Sequence, residues 1–190
     1  MDVEIERELI ERCRRGSTAS FESLVRTHQR PALAIAEALL GNVDDAADAV
    51  QEAFVKAFRS LGRLREGSTF GPWFRSILRN HCRDLLRAPR PAVAEWSEQS
   101  VDPSLWTEPT AQLGLEREEL GDAVRTALGR ISPEHREILV LKEIEELSYA
   151  EIAAAMNIPA GTVASRLHHA RAALRRALQK HGQAIEGALR

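Results

Sequence analysis

Aromatic residues, cysteines and long apolar runs are all scarce in this sequence. Phe, Trp and Tyr make up 5% of the 190 residues, and there are two cysteines. Cys13 and Cys82 are far apart and fit neither a disulfide framework nor a zinc pattern, so we interpret both as free thiols in a reducing cytoplasm. No apolar run approaches the roughly 18 residues that would cross a bilayer, and the acidic N-terminus lacks a signal-peptide core. The sequence therefore predicts a cytoplasmic protein without membrane insertion.

Strand-like patterns are missing as well. No stretch alternates apolar and polar residues, whereas apolar residues recur every three or four positions, as on one face of an α-helix. Residues 89–113 contain four prolines, scattered acids and no periodicity, which indicates a flexible acidic linker. We therefore predict an all-α protein in which two small helical domains, 1–88 and 114–190, are joined by this linker.

The charges are segregated along the chain, although the formal net charge is only −2. Residues 56–90 carry nine basic residues against two acidic ones, and residues 95–122 carry eight acidic residues against one basic residue. No acidic residue occurs between Glu151 and Glu186. This asymmetry indicates partners of both kinds, nucleic acid for the basic segments and a protein surface for the acidic ones.

The acid-free stretch has the pattern of two helices separated by a tight turn. Ser148 and Glu151 form an S-x-x-E capping box at the start of the first helix. Pro159 interrupts the pattern, and a second helix is predicted to begin near Thr162. An ordinary helical hairpin would share this plan. The basic second helix, with short polar residues in its first turns, instead favours a helix-turn-helix that reads the major groove of DNA.

Three features of the first domain bear on binding. The helix predicted over 44–61 has an acidic outer face, which by itself is typical of simple solvation. A basic, glycine-bounded loop over 62–71 leads into a helix predicted over 70–87, in which Trp73 is interpreted as a core anchor, with base stacking as the alternative. The core is expected to include Phe54, Phe58, Phe74, Leu78 and Leu85. The arginines expected to point outward are Arg75, Arg79, Arg83 and Arg87.

Two blocks of sequence give the chain a resemblance to a known family. The first domain contains DAVQEAF and, further on, WFRSILRNHCRDLLR. The second domain contains LSYAEIAAAMNIPAGTVASRLHHAR. In this order, and separated by an acidic linker, these blocks resemble the bacterial sigma-70 factors of the extracytoplasmic-function (ECF) group over nearly the whole chain. The resemblance implies a transcription initiation factor that binds core RNA polymerase and directs it to specific promoters.

The resemblance also implies roles for particular residues. Docking on the β′ clamp helices of the polymerase is implied for Asp48, Gln51 and Glu52, and the β flap is implied as a further contact. Capture of the melted −10 element is implied for Arg63, Arg65, Asn80 and Arg83. Recognition of the −35 duplex is implied for Thr162, Ser165, Arg166, His168, His169 and Arg171. Family members are commonly held inactive by an anti-sigma factor, which makes such a protein a further expected partner.

The chain departs from the family pattern at three positions. Ala164 and His169 stand where basic residues are frequent, so the recognition helix carries less positive charge at neutral pH. Glu146 stands where a glycine is common before L-S-Y, which is expected to alter the junction between the helices. The family pattern therefore does not predict which −35 sequence this chain prefers.

Other functions fit parts of the pattern. A stand-alone helix-turn-helix regulator would bind duplex DNA through 162–180 without polymerase, although the polar first domain offers no evident ligand pocket. A protein that acts mainly through sequestration by a partner would use the apolar and acidic surfaces of both domains. An enzyme is disfavoured, because we find no Walker loop, no metal cluster and no nucleophile–base arrangement. Adjacent residues such as His168 and His169 point apart on a helix and so do not form a metal site together. No catalytic residue, metal site or cofactor is predicted.

Overall fold

The computed structural model describes residues 3–65, 67–88 and 121–188, with side chains up to Lys180. Its contacts divide the chain into two compact units, Met1–Ala88 and Pro89–Arg190. Within the described ranges both units consist of helices without a β-strand, which confirms the all-α prediction. None of these helices is long and apolar enough to cross a membrane. The predicted linker, 89–113, and the predicted start of the second domain lie outside the described residues.

Four α-helices form the first unit, and α2 contacts each of the other three. The helices are α1 (Val3–Arg14), α2 (Thr18–Leu40), α3 (Val43–Ser60) and α4 (Phe70–Arg87), with a short 3-10 turn at Leu61–Arg63. The side chains of Ser17 and Asn42 cap α2 and α3 by accepting backbone N–H bonds. Gly41 ends α2 with φ of 75°, a left-handed conformation that glycine adopts without steric cost. α2 continues through Pro31 without ending there.

Aromatic and aliphatic side chains from α2, α3 and α4 fill the core of the first unit. Leu24, Phe70 and Leu78 are completely buried. The rings of Phe54 and Phe74 stack with their centroids 4.1 Å apart, which ties α3 to α4. Burial of each such side chain stabilises the fold by about 1.5–3 kcal/mol.

Three predictions for this core are wrong. Phe58 and Leu85 are exposed, and Arg79, which was expected to point outward, is buried. Helical spacing gives the direction of a side chain but not how far the neighbouring helix extends over it. Positions at the margin of an apolar face are therefore the ones that the pattern misassigns, and a long arginine stem can be covered there by apolar neighbours.

The second unit consists of short helices followed by one long helix. They are α5 (121–129), α6 (Pro133–Leu139), α7 (Tyr149–Met156) and α8 (Ala160–Ala188), with a π-helical turn at Val140–Ile144 after α6. Ser132 caps α6 by accepting the N–H of His135. Ile138, Ile152 and Leu167 are buried where α6 and α7 pack on α8.

Two non-glycine residues of the second unit have left-handed backbone conformations. Asn157 ends α7 with φ of 53°, and Glu146, between the π-helical turn and α7, has φ of 56°. Asparagine is among the residues that tolerate this region, whereas a glutamate is strained there. The departure from the family pattern at Glu146 thus places a side chain where the backbone conformation favours glycine.

Candidate nucleic-acid interface

α7 begins with the capping box that the sequence predicted. The backbone N–H of Ser148 donates to the Glu151 carboxylate over 2.8 Å, and the N–H of Glu151 donates to the Ser148 hydroxyl oxygen over 3.3 Å. The Ser148 hydroxyl also donates to this carboxylate over 2.6 Å. The hydrogen bond from the Ser148 hydroxyl, and to a smaller extent the one from its backbone N–H, lowers the pKa of Glu151, because both favour the charged carboxylate. Local hydrogen bonds therefore fix the start of the first helix of the helix-turn-helix.

A tight turn over residues 157–159 connects α7 to α8. Pro159 stands directly before α8, where its missing N–H leaves no helical hydrogen bond unmade. Its carbonyl accepts the N–H of Thr162 over 2.9 Å. α8 starts at Ala160, two residues before the predicted position, because a helix can begin directly after the proline. The arrangement is that of the predicted helix-turn-helix.

The first turns of α8 have a buried side and an exposed side. Val163, Leu167 and Ala170 are buried. The residues predicted to read duplex DNA occupy the remaining surface: Ser165, His168, His169 and Arg171 are exposed, and Thr162 and Arg166 are partly buried. The structure therefore brings all six onto the first twelve residues of one helix, outside its packing face.

Several of these side chains make local contacts. The Ser165 hydroxyl donates to the Thr162 carbonyl over 3.0 Å, which leaves the lone pairs of its oxygen available to accept a bond. The imidazole rings of His168 and His169 are 5.7 Å apart between centroids and inclined by 76°, so they do not converge on one point. Within the described ranges, no group of three or more His, Cys, Asp and Glu residues is placed to hold a metal ion.

Arg171 is engaged in an ion pair that the sequence did not predict. Its Nε and Nη2 atoms donate to Oε1 of Glu143, in the π-helical turn, over 3.1 and 2.7 Å. The pairing raises the pKa of Arg171. At about 100° per residue, Arg171 lies roughly 140° around α8 from Arg166, so the two guanidinium groups leave the helix on different flanks. Glu143 is 28 positions away in sequence, and no local pattern could have revealed the contact.

The acidic face of α3, formed by Asp48, Gln51 and Glu52, is open to solvent. All three side chains are exposed, whereas Ala49 and Ala53 behind them are buried. Residues three and four positions apart are neighbours on a helix surface. The three residues predicted to contact polymerase therefore form one continuous patch.

A groove of about 690 Å³, here named the α4 groove, lies at the start of α4. Its lining residues are Arg63, Leu64, Arg65, Gly67, Ser68, Thr69, Pro72 and Trp73. Trp73 is only partly buried and packs edge-on against Phe70, with ring centroids 5.8 Å apart. The groove combines two guanidinium groups with an indole ring, and such a combination can hold a phosphate backbone and stack an unpaired base. The core interpretation of Trp73 was thus incomplete, because this residue also borders solvent.

Asn80 and Arg83 are neighbours on the surface of α4. Nη1 of Arg83 donates to Oδ1 of Asn80 over 3.1 Å, which orients the amide. The described lining of the α4 groove includes neither residue. Beside them, Nζ of Lys56 lies 2.7 Å from Nδ1 of His81. Burial, and then the charge of Lys56, lowers the pKa of His81. Because an ammonium group can only donate, Nδ1 of His81 accepts this bond. Lys56 and His81 were not among the predicted site residues.

Both cysteines are buried free thiols. Burial raises the pKa of Cys13 and raises the pKa of Cys82 to about 12. Because the thiolate is the reactive form, burial disfavours nucleophilic chemistry at both side chains.

Two family models match the chain. The model for Sigma-70 region 2 matches residues 24–90, and the model for Sigma-70 region 4 matches residues 121–174. The first range contains the acidic face of α3 and the α4 groove, and the second contains the helix-turn-helix.

Individual relatives resemble both units of the chain. The RNA polymerase sigma-H factor of Pseudomonas aeruginosa is 33% identical over 183 residues, which cover 93% of this chain and 95% of the relative. The ECF RNA polymerase sigma-E factor of Escherichia coli is 30% identical over 173 residues, which cover 87% of this chain and 90% of the relative. The solved structure of CnrH in complex with the cytosolic domain of CnrY matches with a TM-score of 0.62 and 25% identity, over 93% of this chain and 98% of that one.

Proposed function

This chain belongs to the ECF group of sigma-70 RNA polymerase sigma factors, and we propose that it is a transcription initiation factor, not an enzyme, that binds core RNA polymerase and directs it to specific promoters. The observation that carries the proposal is the presence, in family order, of a basic groove in one unit and a helix-turn-helix in the other. The proposed domains are 1–88 for polymerase and the −10 element and 114–190 for the −35 element, with 89–113 as the linker. The protein acts beside the polymerase in the cytoplasm.

The acidic face of α3 is the proposed contact with the β′ clamp helices. Its two carboxylates, at Asp48 and Glu52, are one helical turn apart, and Gln51 between them adds a donor and an acceptor. Behind this face, buried alanines allow α3 to pack closely against the other helices of the first unit. A charged patch of this kind contributes mainly partner choice and association rate. The β flap is a further proposed contact of the chain with core polymerase.

The α4 groove is the proposed site that holds the unpaired −10 strand. Arg63 and Arg65 neutralise phosphates there, and Trp73 offers a ring for stacking. Asn80, oriented by Arg83, presents its amide to a base edge, and Arg83 adds charge along the strand. No nucleotide hydrolysis is required, because contacts to the flipped base and the single strand offset an unpairing cost of a few kcal/mol.

The exposed side of α8 is the proposed reader of the −35 duplex. Thr162 and Ser165 supply short polar groups in the first two turns, and Arg166, His168 and His169 supply longer donors. A bidentate Arg166–guanine pair would provide about 1–3 kcal/mol of discrimination against the wrong base. Arg171 has one edge occupied by Glu143, so its remaining N–H groups suit a phosphate on the flank of the helix.

Co-elution of the purified chain with bacterial core RNA polymerase freed of its own sigma factor tests the proposal. Near-stoichiometric co-elution is expected, followed by selection of particular promoters from genomic fragments. Duplex binding without polymerase binding would instead support the stand-alone regulator. Asp48→Arg combined with Glu52→Arg should abolish co-elution and spare the binding of duplex DNA. Glu11→Arg combined with Glu22→Arg, at exposed acids of α1 and α2, makes the same charge change elsewhere and should leave co-elution intact.

An anti-sigma factor is part of the proposal. CnrH, which resembles this chain over both units, has been solved in complex with the cytosolic domain of CnrY. A partner that covers the acidic face of α3 would prevent the docking on polymerase proposed above. Competition between such a partner and core polymerase, measured by displacement from the co-eluted complex, tests this part.

A further inference from the structure

A buried polar pair joins α1 to α2 in the first unit. Oε1 of Glu6 lies 2.9 Å from Nε2 of His28, and the two side chains are 9% and 16% exposed. Glutamate is almost never so deeply buried without a partner, because an unpaired carboxylate would lose its hydration. The contact spans 22 positions in sequence and fixes which face of α2 the short helix α1 covers.

His28 also packs against the first residues of α4. Its ring centroid lies 5.2 Å from that of Phe70. A Cβ atom placed on Gly71 would lie 3.1 Å from Cε1 of His28 and 3.5 Å from Nδ1. The missing side chain at Gly71 is therefore what allows the imidazole to approach α4 this closely.

The contacts continue from His28 into the α4 groove. Phe70 packs against both His28 and Trp73, with ring-centroid distances of 5.2 and 5.8 Å. Pro72 and Trp73 line the groove together with Arg63 and Arg65. An unbroken series of packed groups thus leads from Glu6 to the surface proposed to hold the −10 strand.

We infer that Glu6 and His28 are positioning residues for the α4 groove: they set the approach of α2 to the start of α4, and so the position of Trp73 for an unpaired base. The inference rests on the proposed function of that groove. Neither residue touches DNA in this arrangement. Glu6 acts through His28, and His28 acts through Phe70 and Gly71.

Two substitutions probe the arrangement from opposite sides. Glu6→Ala removes the partner of His28 and leaves the imidazole free to turn. Gly71→Ala adds a methyl group against Cε1 and requires the ring to shift by a few tenths of an ångström, while alanine is the better helix former and supports α4. Glu8→Ala is the matched control, because this exposed glutamate lies on the same helix and pairs only with Arg12 among the described ion pairs. Ile10→Val reports the effect of a mild loss of packing at α1.

The assay uses each full-length variant bound to core polymerase. The probe is a forked DNA built from a promoter that the wild-type holoenzyme selects. Its non-template strand is single-stranded across the −10 element and carries 2-aminopurine at the first base of that element. Fluorescence of the unstacked base reports capture, and a −35 duplex measures binding by the second domain. Glu6→Ala and Gly71→Ala should each weaken the fork about three- to tenfold relative to the duplex, within the range of coupling known for residues outside a ligand site.

The outcomes separate the inference from the function on which it rests. If the wild-type holoenzyme shows no fluorescence change, the proposed role of the α4 groove is wrong. If the wild type responds and both variants retain its fork-to-duplex ratio, the positioning role is refuted. The same holds if Ile10→Val lowers the ratio as much as Glu6→Ala does, because general destabilisation would then explain the loss. A lower ratio for Gly71→Ala with undiminished thermal stability supports positioning.

Discussion

Replacement of Glu146 by glycine should stabilise the second domain. Glu146 has φ of 56°, and a non-glycine residue in the left-handed region costs about 1–2 kcal/mol. The conformation persists because hydrogen bonds hold both sides of it: Glu145 N–H donates to the Val140 carbonyl, and Leu147 N–H donates to the Leu141 carbonyl, each over 3.0 Å. Glycine removes the strain but adds about 0.5–1 kcal/mol of conformational entropy to be lost on folding. The mid-range values of these two contributions differ by about 0.75 kcal/mol, so we expect a net gain of about 0.5–1 kcal/mol.

Scanning calorimetry of the full chain, with hydrogen exchange to assign the transition to the second unit, measures this gain. For a domain of 60–100 residues, about 4–8 °C of melting temperature corresponds to 1 kcal/mol, so Glu146→Gly should raise it by about 2–8 °C. Glu146→Ala is the control, because it removes the charge beside Glu143 and Glu145 but keeps the Cβ atom. If alanine stabilised the domain as much as glycine, charge repulsion and not backbone strain would be the cause. A destabilising Glu146→Gly would refute the reasoning.

The remaining predictions concern the recognition helix, the capping box and the thiols. Arg166→Ala should weaken binding to a selected −35 duplex by about 1–3 kcal/mol and leave binding to a scrambled duplex nearly unchanged, whereas an equal loss on both would show a phosphate contact. Because the folded-state pKa of Glu151 lies below its ordinary 4.5, the stability difference between wild type and Glu151→Gln should be constant above about pH 4.5 and shrink as the pH falls through the folded-state value, as denaturant titrations at several pH values can show. Cys82, with its pKa raised to about 12, should resist a thiol-specific disulfide reagent at pH 8 until the chain unfolds, and rapid labelling of the native protein would contradict its burial.

Local signals in the sequence predicted the helices well. α4 was predicted over 70–87 and is observed at Phe70–Arg87, because a proline in its first turn and another proline beyond its last residue mark both ends. The capping box of α7 was predicted with both of its residues. The π-helical turn at Val140–Ile144 was not predicted, since no residue type marks such a turn.

The sequence predicted which helix faces carry the candidate surfaces, but it did not predict the contacts between their side chains. Spacing alone put Asp48 and Glu52 on one side of α3, and the structure leaves them exposed there. The pairing of Glu143 with Arg171, and that of Lys56 with His81, join residues 28 and 25 positions apart. Helical periodicity predicts the direction of a side chain, but it does not predict which neighbouring helix that side chain contacts. Such pairs therefore require the packed structure.

The segregation of charge explains how a chain with a formal net charge of −2 can bind both DNA and polymerase. Asp48 and Glu52 are four residues apart, about 6 Å along the helix, which is less than the Debye length of about 8 Å at physiological ionic strength. They therefore act on a partner as one patch. Lys56, one turn beyond Glu52 on the same helix and hydrogen-bonded to His81, marks the edge of this patch, and Arg83 on the next helix presents the opposite sign. Because salt screens surfaces that lie farther apart than this length, a partner responds to the charge of the face that it meets rather than to the net charge of the chain.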